Sequence, residues 1–288
     1  MGLFAETVQE AVKQRGAALM GVVNVTPDSF SDGGRYLEPA RAQARVDEVI
    51  QEGADLVDIG AESSRPGAEP VPAELQIVRL GPALVHAVAA GAVVSVDTTS
   101  PEVARWSLGQ GAQVVNDVSC LQNPELARAV VSHGAYLIVM HTRGVLGSMR
   151  GFSSYPEDSY VDVVEEVLDE WAAARDRAIQ AGLERSRIFL DPGLGFAKNA
   201  RQSLELLQRL SELRRAGAPV VVGPSRKSFL AALDPMPPEG RVGGTIAACL
   251  VAVALGATIL RVHDVRAVRQ SLTVFRALVS LPKQAPHV

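Results

Sequence analysis

Eight short apolar runs, each closing on a polar residue or turn and followed by an amphipathic segment, constrain this chain more than any other feature. They occupy residues 18–25, 55–61, 93–97, 114–118, 136–140, 188–191, 220–223 and 258–262. The runs are nearly continuous in Val, Ile and Leu, as parallel strands covered on both faces require. Helical spacing fills residues 39–52, 73–90, 101–110, 124–132, 157–181, 201–216, 243–255 and 265–281. Several of these segments open on Pro, and several stop at Gly53, Gly91, Gly111, Gly134, Gly182 or Gly217. Eight strand–helix units in about 250 residues are the arithmetic of a (β/α)8 TIM barrel. A doubly wound open sheet is the alternative, but no G-x-G-x-x-G follows the first run. The expectation is a single TIM-barrel domain over residues 1–288, with its core at about 18–281.

With 288 residues, 47% hydrophobic and a mean hydropathy of +0.14, the chain buries one large core. No apolar run reaches the roughly 18 residues of a membrane span. Early acids at the N-terminus read against a signal peptide. Cys120 and Cys249 are too few for a disulfide framework and lack metal spacing, so a reduced, cytoplasmic enzyme is expected. A net charge of −4 without a basic run excludes nucleic acid as a partner. The basic residues are 24 Arg and 4 Lys, a bias that draws attention to Lys227.

In a barrel of this kind the loops at the strand C-termini converge. The polar residues there are Asn24, Asp58 with Glu62, Asp97, Asn116 with Asp117, His141, Asp191, Ser225-Arg226-Lys227, and Arg261, His263 and Asp264. Singly, each has a structural reading: Asp97 and Asp264 as helix caps, Asn116 as a strand end, His141 as a satisfied core histidine. Together they describe a pocket for a small polar molecule. Asp97, Asn116, Asp191 and Lys227 suit a planar heterocycle whose amidine-like edge donates two parallel N–H bonds to a carboxylate. Asn24, Arg261 and His263 suit a phosphate with Mg²⁺. No zinc spacing, Ser-His-Asp set or P-loop is present.

The motifs N-V-T-P-D-S-F-S-D-G-G (24–34), D-I-G-A-E-S-S-R-P-G-A (58–68), S-V-D-T (95–98), N-D-V (116–118), D-P-G-L-G-F-A-K (191–198), S-R-K-S (225–228) and R-V-H-D-V (261–265) occur in one order. Together they resemble the dihydropteroate synthases. The resemblance implies condensation of 6-hydroxymethyl-7,8-dihydropterin pyrophosphate with p-aminobenzoate, releasing pyrophosphate. It implies a pterin site at Asp97, Asn116, Asp191 and Lys227, and a pyrophosphate site at Asn24, Arg261 and His263. Mg²⁺ would sit on Asn24, with Asp32 as a second candidate ligand. Phe30, Ser64, Arg65 and Ser228 would lie on the p-aminobenzoate side, and Asp32, Lys227, Arg261 and His263 would act in catalysis. The same likeness implies a homodimer and a target of sulfonamides, which mimic p-aminobenzoate.

The chain departs from the family pattern at Ser64, where Thr is usual, and at Ala61 and Ala197, where Gly is common. Gln202-Ser203 replaces a His-Asn pair. Two alternatives share the barrel: a pterin-dependent methyltransferase and a non-catalytic paralogue. The first has no need of the Mg-pyrophosphate loop, and the second would be expected to have lost Asn24, Asp32, Arg65, Lys227, Arg261 or His263.

Overall fold

The computed structural model describes residues 2–26, 39–63, 69–144 and 153–280. All eight apolar runs form parallel strands: β1 (Ala18–Asn24), β2 (Leu56–Gly60), β3 (Val93–Asp97), β4 (Val114–Asp117), β5 (Tyr136–Met140), β6 (Ile188–Asp191), β7 (Val221–Val222) and β8 (Ile259–Val262). Their order is β6-β5-β4-β3-β2-β1-β8-β7. A bridge between Leu190 and Val220 closes the ring, with Leu190 N–H donating to the Pro219 carbonyl at 3.0 Å. β7 is short because Gly223-Pro224 follows it, and proline has no N–H for the ladder.

The helices form the outer layer: α2 (Pro39–Gln51), α3 (Ala73–Ala89), α4 (Pro101–Gly109), α5 (Glu125–Ser132), α6 (Val163–Gln180), α7 (Ala200–Gln208), α8 (Ser228–Ala231), α9 (Val242–Ala254) and α10 (Val265–Ser280). Two expected helices are shorter than their apolar period. Residues 157–181 divide into a 3-10 turn and α6, because Asp162 caps Val164 and Glu165 N–H. Residues 201–216 divide into α7 and a second 3-10 turn. α7 starts on a capping box in which Asn199 and Gln202 bond reciprocally. Ser203 Oγ accepts from Gly195 N–H at 3.0 Å, so the Gln202-Ser203 departure serves the local turn.

One helix goes beyond the expected elements. α1 (Leu3–Arg15) precedes β1 and lays Phe4, Val8 and Ala11 across the bottom of the barrel. There they meet Ala18, Met20, Leu56, Val93, Val114, Ile138, Phe189, Val221 and Ile259, the lowest inward layer. Phe4 packs on Tyr136 and Phe189 with centroids 4.5 and 5.2 Å apart. The i, i+4, i+7 spacing of Phe4, Val8 and Ala11 was the available signal.

Strand alternation then sets the site. Two residues above the apolar layer, the inward positions are Val22, Asp58, Ser95, Asn116, Met140, Asp191, Gly223 and Arg261. Outward neighbours such as Val57, Val94, Val115, Leu190 and Leu260 pack against the helices. One end of the barrel is dry and plugged; the other carries charge.

Candidate active site

Arg261, on β8, is the centre of the charged layer. Its Nε donates to Asp58 Oδ2 at 2.6 Å and its Nη2 to Asp97 Oδ2 at 2.7 Å. Asn116 Nδ2 donates to the same Asp58 oxygen at 3.3 Å. Asp58 is fully buried, and its Oδ1 has no partner among the described residues. Burial pushes the Asp97 carboxyl up to about 7; Arg261 opposes the shift and Asp58 adds to it. Asp97 is thus a ligand of Arg261, while Ser100 caps α4 in its place. Arg261, assigned from sequence to the anion side, joins the two halves of the pocket through its bond to Asp97.

Asp191, at the end of β6, accepts from Gly193 N–H through Oδ1 at 2.8 Å. No described residue bonds its Oδ2. Burial raises its pKa, with Lys227 opposing. Lys227 donates to the Leu194 carbonyl at 2.6 Å and lies 4.8 Å from the centre of the Phe196 ring. Burial draws Lys227 down to about 8, against the attraction of Asp191.

His263 Nδ1 lies 3.0 Å from Ser225 Oγ, and the hydroxyl also accepts the His263 N–H at 3.1 Å. Burial, then the nearby Arg261 charge, lowers its pKa to about 4, so the imidazole is neutral at pH 7. Asp264 does not cap but pairs with Arg226 at 2.6 Å. Asp117, read together with Asn116, points the other way and binds Ser119 and Leu121 N–H groups. Ser228, at the first turn of α8, shares a 2.8 Å hydrogen bond with Ser153. Asn24, at the end of β1, is half-buried and makes no side-chain hydrogen bond among the described residues. Phe30, Asp32, Ser64 and Arg65 lie outside the described residues.

Sequence reasoning left two groups outside the site. Asp58 was recognised as a strand-end acid but given no role; sharing Asp97's inward parity was the signal. His141 is fully buried as expected, but it is bonded to Lys198, which is also fully buried.

A parallel barrel whose mouth gathers Asp58, Asp97, Asp191, Asn116, Arg261 and Lys227 defines a TIM-barrel protein with a buried, charged pocket at the C-terminal ends of its strands. The Pterin binding enzyme family model matches residues 20–263, and the chain belongs to that family. It is 42% identical over 264 residues to a dihydropteroate synthase of Synechocystis sp., covering 90% of this chain and 89% of that one. A Xanthomonas albilineans dihydropteroate synthase solved with 4-aminobenzoic acid is 41% identical, with a TM-score of 0.85 over 92% of this chain and 94% of that one. The same enzyme in complex with 7,8-dihydropteroate aligns with a TM-score of 0.81 at 38% identity, over 92% and 95% of the two chains.

Proposed function

We propose that this chain is a transferase that joins p-aminobenzoate to 6-hydroxymethyl-7,8-dihydropterin pyrophosphate, forming 7,8-dihydropteroate and pyrophosphate. The observation that carries the reading is the convergence of Asp191, Lys227, Asn116, Asp97 and Arg261 on one barrel mouth. Relatives with the same barrel and about two-fifths of the same residues support it, being dihydropteroate synthases seen with 4-aminobenzoic acid and with 7,8-dihydropteroate.

The chemistry follows from what each group can hold. Asp191, whose Oδ2 is bonded by no described residue, accepts the amino and ring N–H edge of the pterin, and Lys227 faces the carbonyl side of the ring. As the bond between the methylene carbon and the pyrophosphate oxygen breaks, its electron pair leaves with pyrophosphate. Arg261 and the neutral His263 are the donors for that growing charge. Buried carboxylates stabilise the cation left on the pterin methylene. The neutral arylamine nitrogen attacks this carbon and then loses a proton, so it needs positioning more than activation.

Mg²⁺ belongs to the same proposal. Asn24 offers a hard oxygen without a partner among the described residues, and Asp32 is the candidate carboxylate. Magnesium characteristically takes one or two such ligands and fills its shell with phosphate oxygens and water. When bound it would neutralise charge on the leaving group. Chelation of the metal is therefore expected to abolish dihydropteroate formation, with activity restored by added Mg²⁺. Full turnover in excess chelator would remove the metal from the proposal. A homodimer is part of the reading, supported by the exposed Val251 of α9 and Val274, Leu278 and Val279 of α10.

The direct test is dihydropteroate formation from the two substrates. Its residue-level counterpart is calorimetric titration with 6-hydroxymethyl-7,8-dihydropterin. Asp191→Ala leaves a ring edge unpaired in a dry pocket, which costs about 1–3 kcal/mol of affinity. Lys227→Ala weakens binding similarly, and Lys227→Arg does not restore it, because a planar fork does not replace a compact ammonium. In the wild type, affinity weakens as pH rises through about 8 and Lys227 loses its proton. Undiminished affinity in both Ala variants would contradict the pocket assignment.

A further inference from the structure

Behind the pocket wall, the loop from β6 to α7 folds around its own downstream lysine. Lys198 is fully buried, and its Nζ has three acceptors for three protons: His141 Nδ1 at 2.9 Å, the Phe196 carbonyl at 3.0 Å and the Gly193 carbonyl at 3.2 Å. Burial draws its pKa down to about 7, with the Lys227 charge acting in the same direction and the Asp191 carboxylate favouring the ammonium. His141 is set by its far side. Its Nε2 lies 3.0 Å from Glu170 Oε2. Burial pushes the Glu170 carboxyl up, but the bonds from His141 and Arg143 outweigh it and hold the group at about 2. An ionised carboxylate only accepts, so Nε2 carries the imidazole proton and Nδ1 presents its lone pair to Lys198. Burial, then the Lys198 charge, keeps the imidazole neutral, with a pKa near 4.

The two carbonyls that Lys198 holds flank the Leu194 carbonyl that accepts from Lys227, and Phe196 also supplies the ring beneath Lys227. A charge of this kind is costly inside the fold unless it is paired and hydrogen-bonded. We propose that Lys198 is a positioning residue: its ammonium, oriented by His141, fixes the Gly193–Phe196 turn so that Leu194 and Phe196 seat Lys227 at the heterocycle site. This inference rests on reading that site as the pterin pocket.

The test titrates the full-length protein with 6-hydroxymethyl-7,8-dihydropterin and measures the KM for p-aminobenzoate at saturating pterin pyrophosphate. Lys198→Met keeps the length and removes the donors. It is expected to raise the pterin Kd about tenfold or more, as loosened second-layer groups do, while leaving the p-aminobenzoate KM unchanged. A paired comparison at His141 keeps the proposal testable even where Lys198→Met folds poorly. His141→Asn places an acceptor oxygen near the Nδ1 position and retains pterin affinity, whereas His141→Leu loses it as Lys198→Met does. Wild-type affinity in Lys198→Met, a parallel loss for p-aminobenzoate, or equal losses in the two His141 variants overturns the proposal. Lys227→Ala is the control: if it too binds as wild type, the pterin reading itself fails. If Lys227→Ala alone loses affinity, only the positioning role fails.

Discussion

Arg261→Ala is expected to abolish detectable dihydropteroate formation and to lower the thermal midpoint by on the order of 10 °C. The guanidinium bridges Asp58, which is fully buried, and Asp97, whose side chain is 15% exposed. Removing it leaves two carboxylates facing one another without a counter-ion, a loss of about 3–5 kcal/mol for a broken buried pair. The loss depends on pH in a defined direction. Asp97 already titrates near 7, above its unfolded value, because burial outweighs the pull of Arg261. Without Arg261 its folded pKa rises further, and a raised carboxyl favours folding at low pH and loses that contribution as pH rises. The deficit relative to wild type should therefore be larger at pH 8 than at pH 5. Differential scanning calorimetry at the two values measures it. An equal midpoint for variant and wild type at pH 8 would show that the two acids do not depend on Arg261.

Gly193→Ala is expected to destabilise the protein by roughly 2–5 kcal/mol, from left-handed strain and overpacking together, and to remove most pterin affinity. Gly193 has φ +66°, and a Cβ there would stand 2.0 Å from the His141 carbonyl oxygen. That oxygen belongs to backbone at the end of β5, so no side chain can swing aside to make room. The loop has to move, and it carries the N–H that Asp191 accepts and a carbonyl that Lys198 holds. Strain is already present next door, because Ala197 takes φ 49° at a position where the resembled family commonly has Gly. Its carbonyl is held by the Tyr160 hydroxyl at 3.0 Å. Denaturant midpoints and pterin titration check the prediction. Wild-type values for both would mean that the close approach carries neither stability nor binding.

The barrel was legible because its signal is local. A parallel strand buried on both faces reads as a continuous apolar run, and Gly and Pro mark where each helix stops. Segment ends were less legible. Asp162 caps α6 inside a continuous helical period, and side-chain competition for backbone N–H groups does not show in an apolar pattern. α1 was readable from Phe4, Val8 and Ala11, yet its place across the barrel floor depends on where nine strand residues meet.

For the site, the sequence by itself determined which chemical groups stand at the strand ends: Asn24, Asp97, Asn116, Asp191, Lys227, Arg261 and His263. Those positions follow from apolar runs of four to eight residues and the loops after them. Only the tertiary structure decided which of them meet. Arg261 reaches Asp58 across 203 positions and Asp97 across 164 because closing the ring through β8 brings their strands to one height. Asn116 and Asp117 are neighbours in sequence but face opposite sides of the sheet, so one enters the pocket and the other braces a loop. Lys198 appears in the sequence as the end of a motif. It is a buried ammonium in the structure because the β6–α7 turn wraps its carbonyls around it, and no periodicity in the chain encodes a turn of that shape.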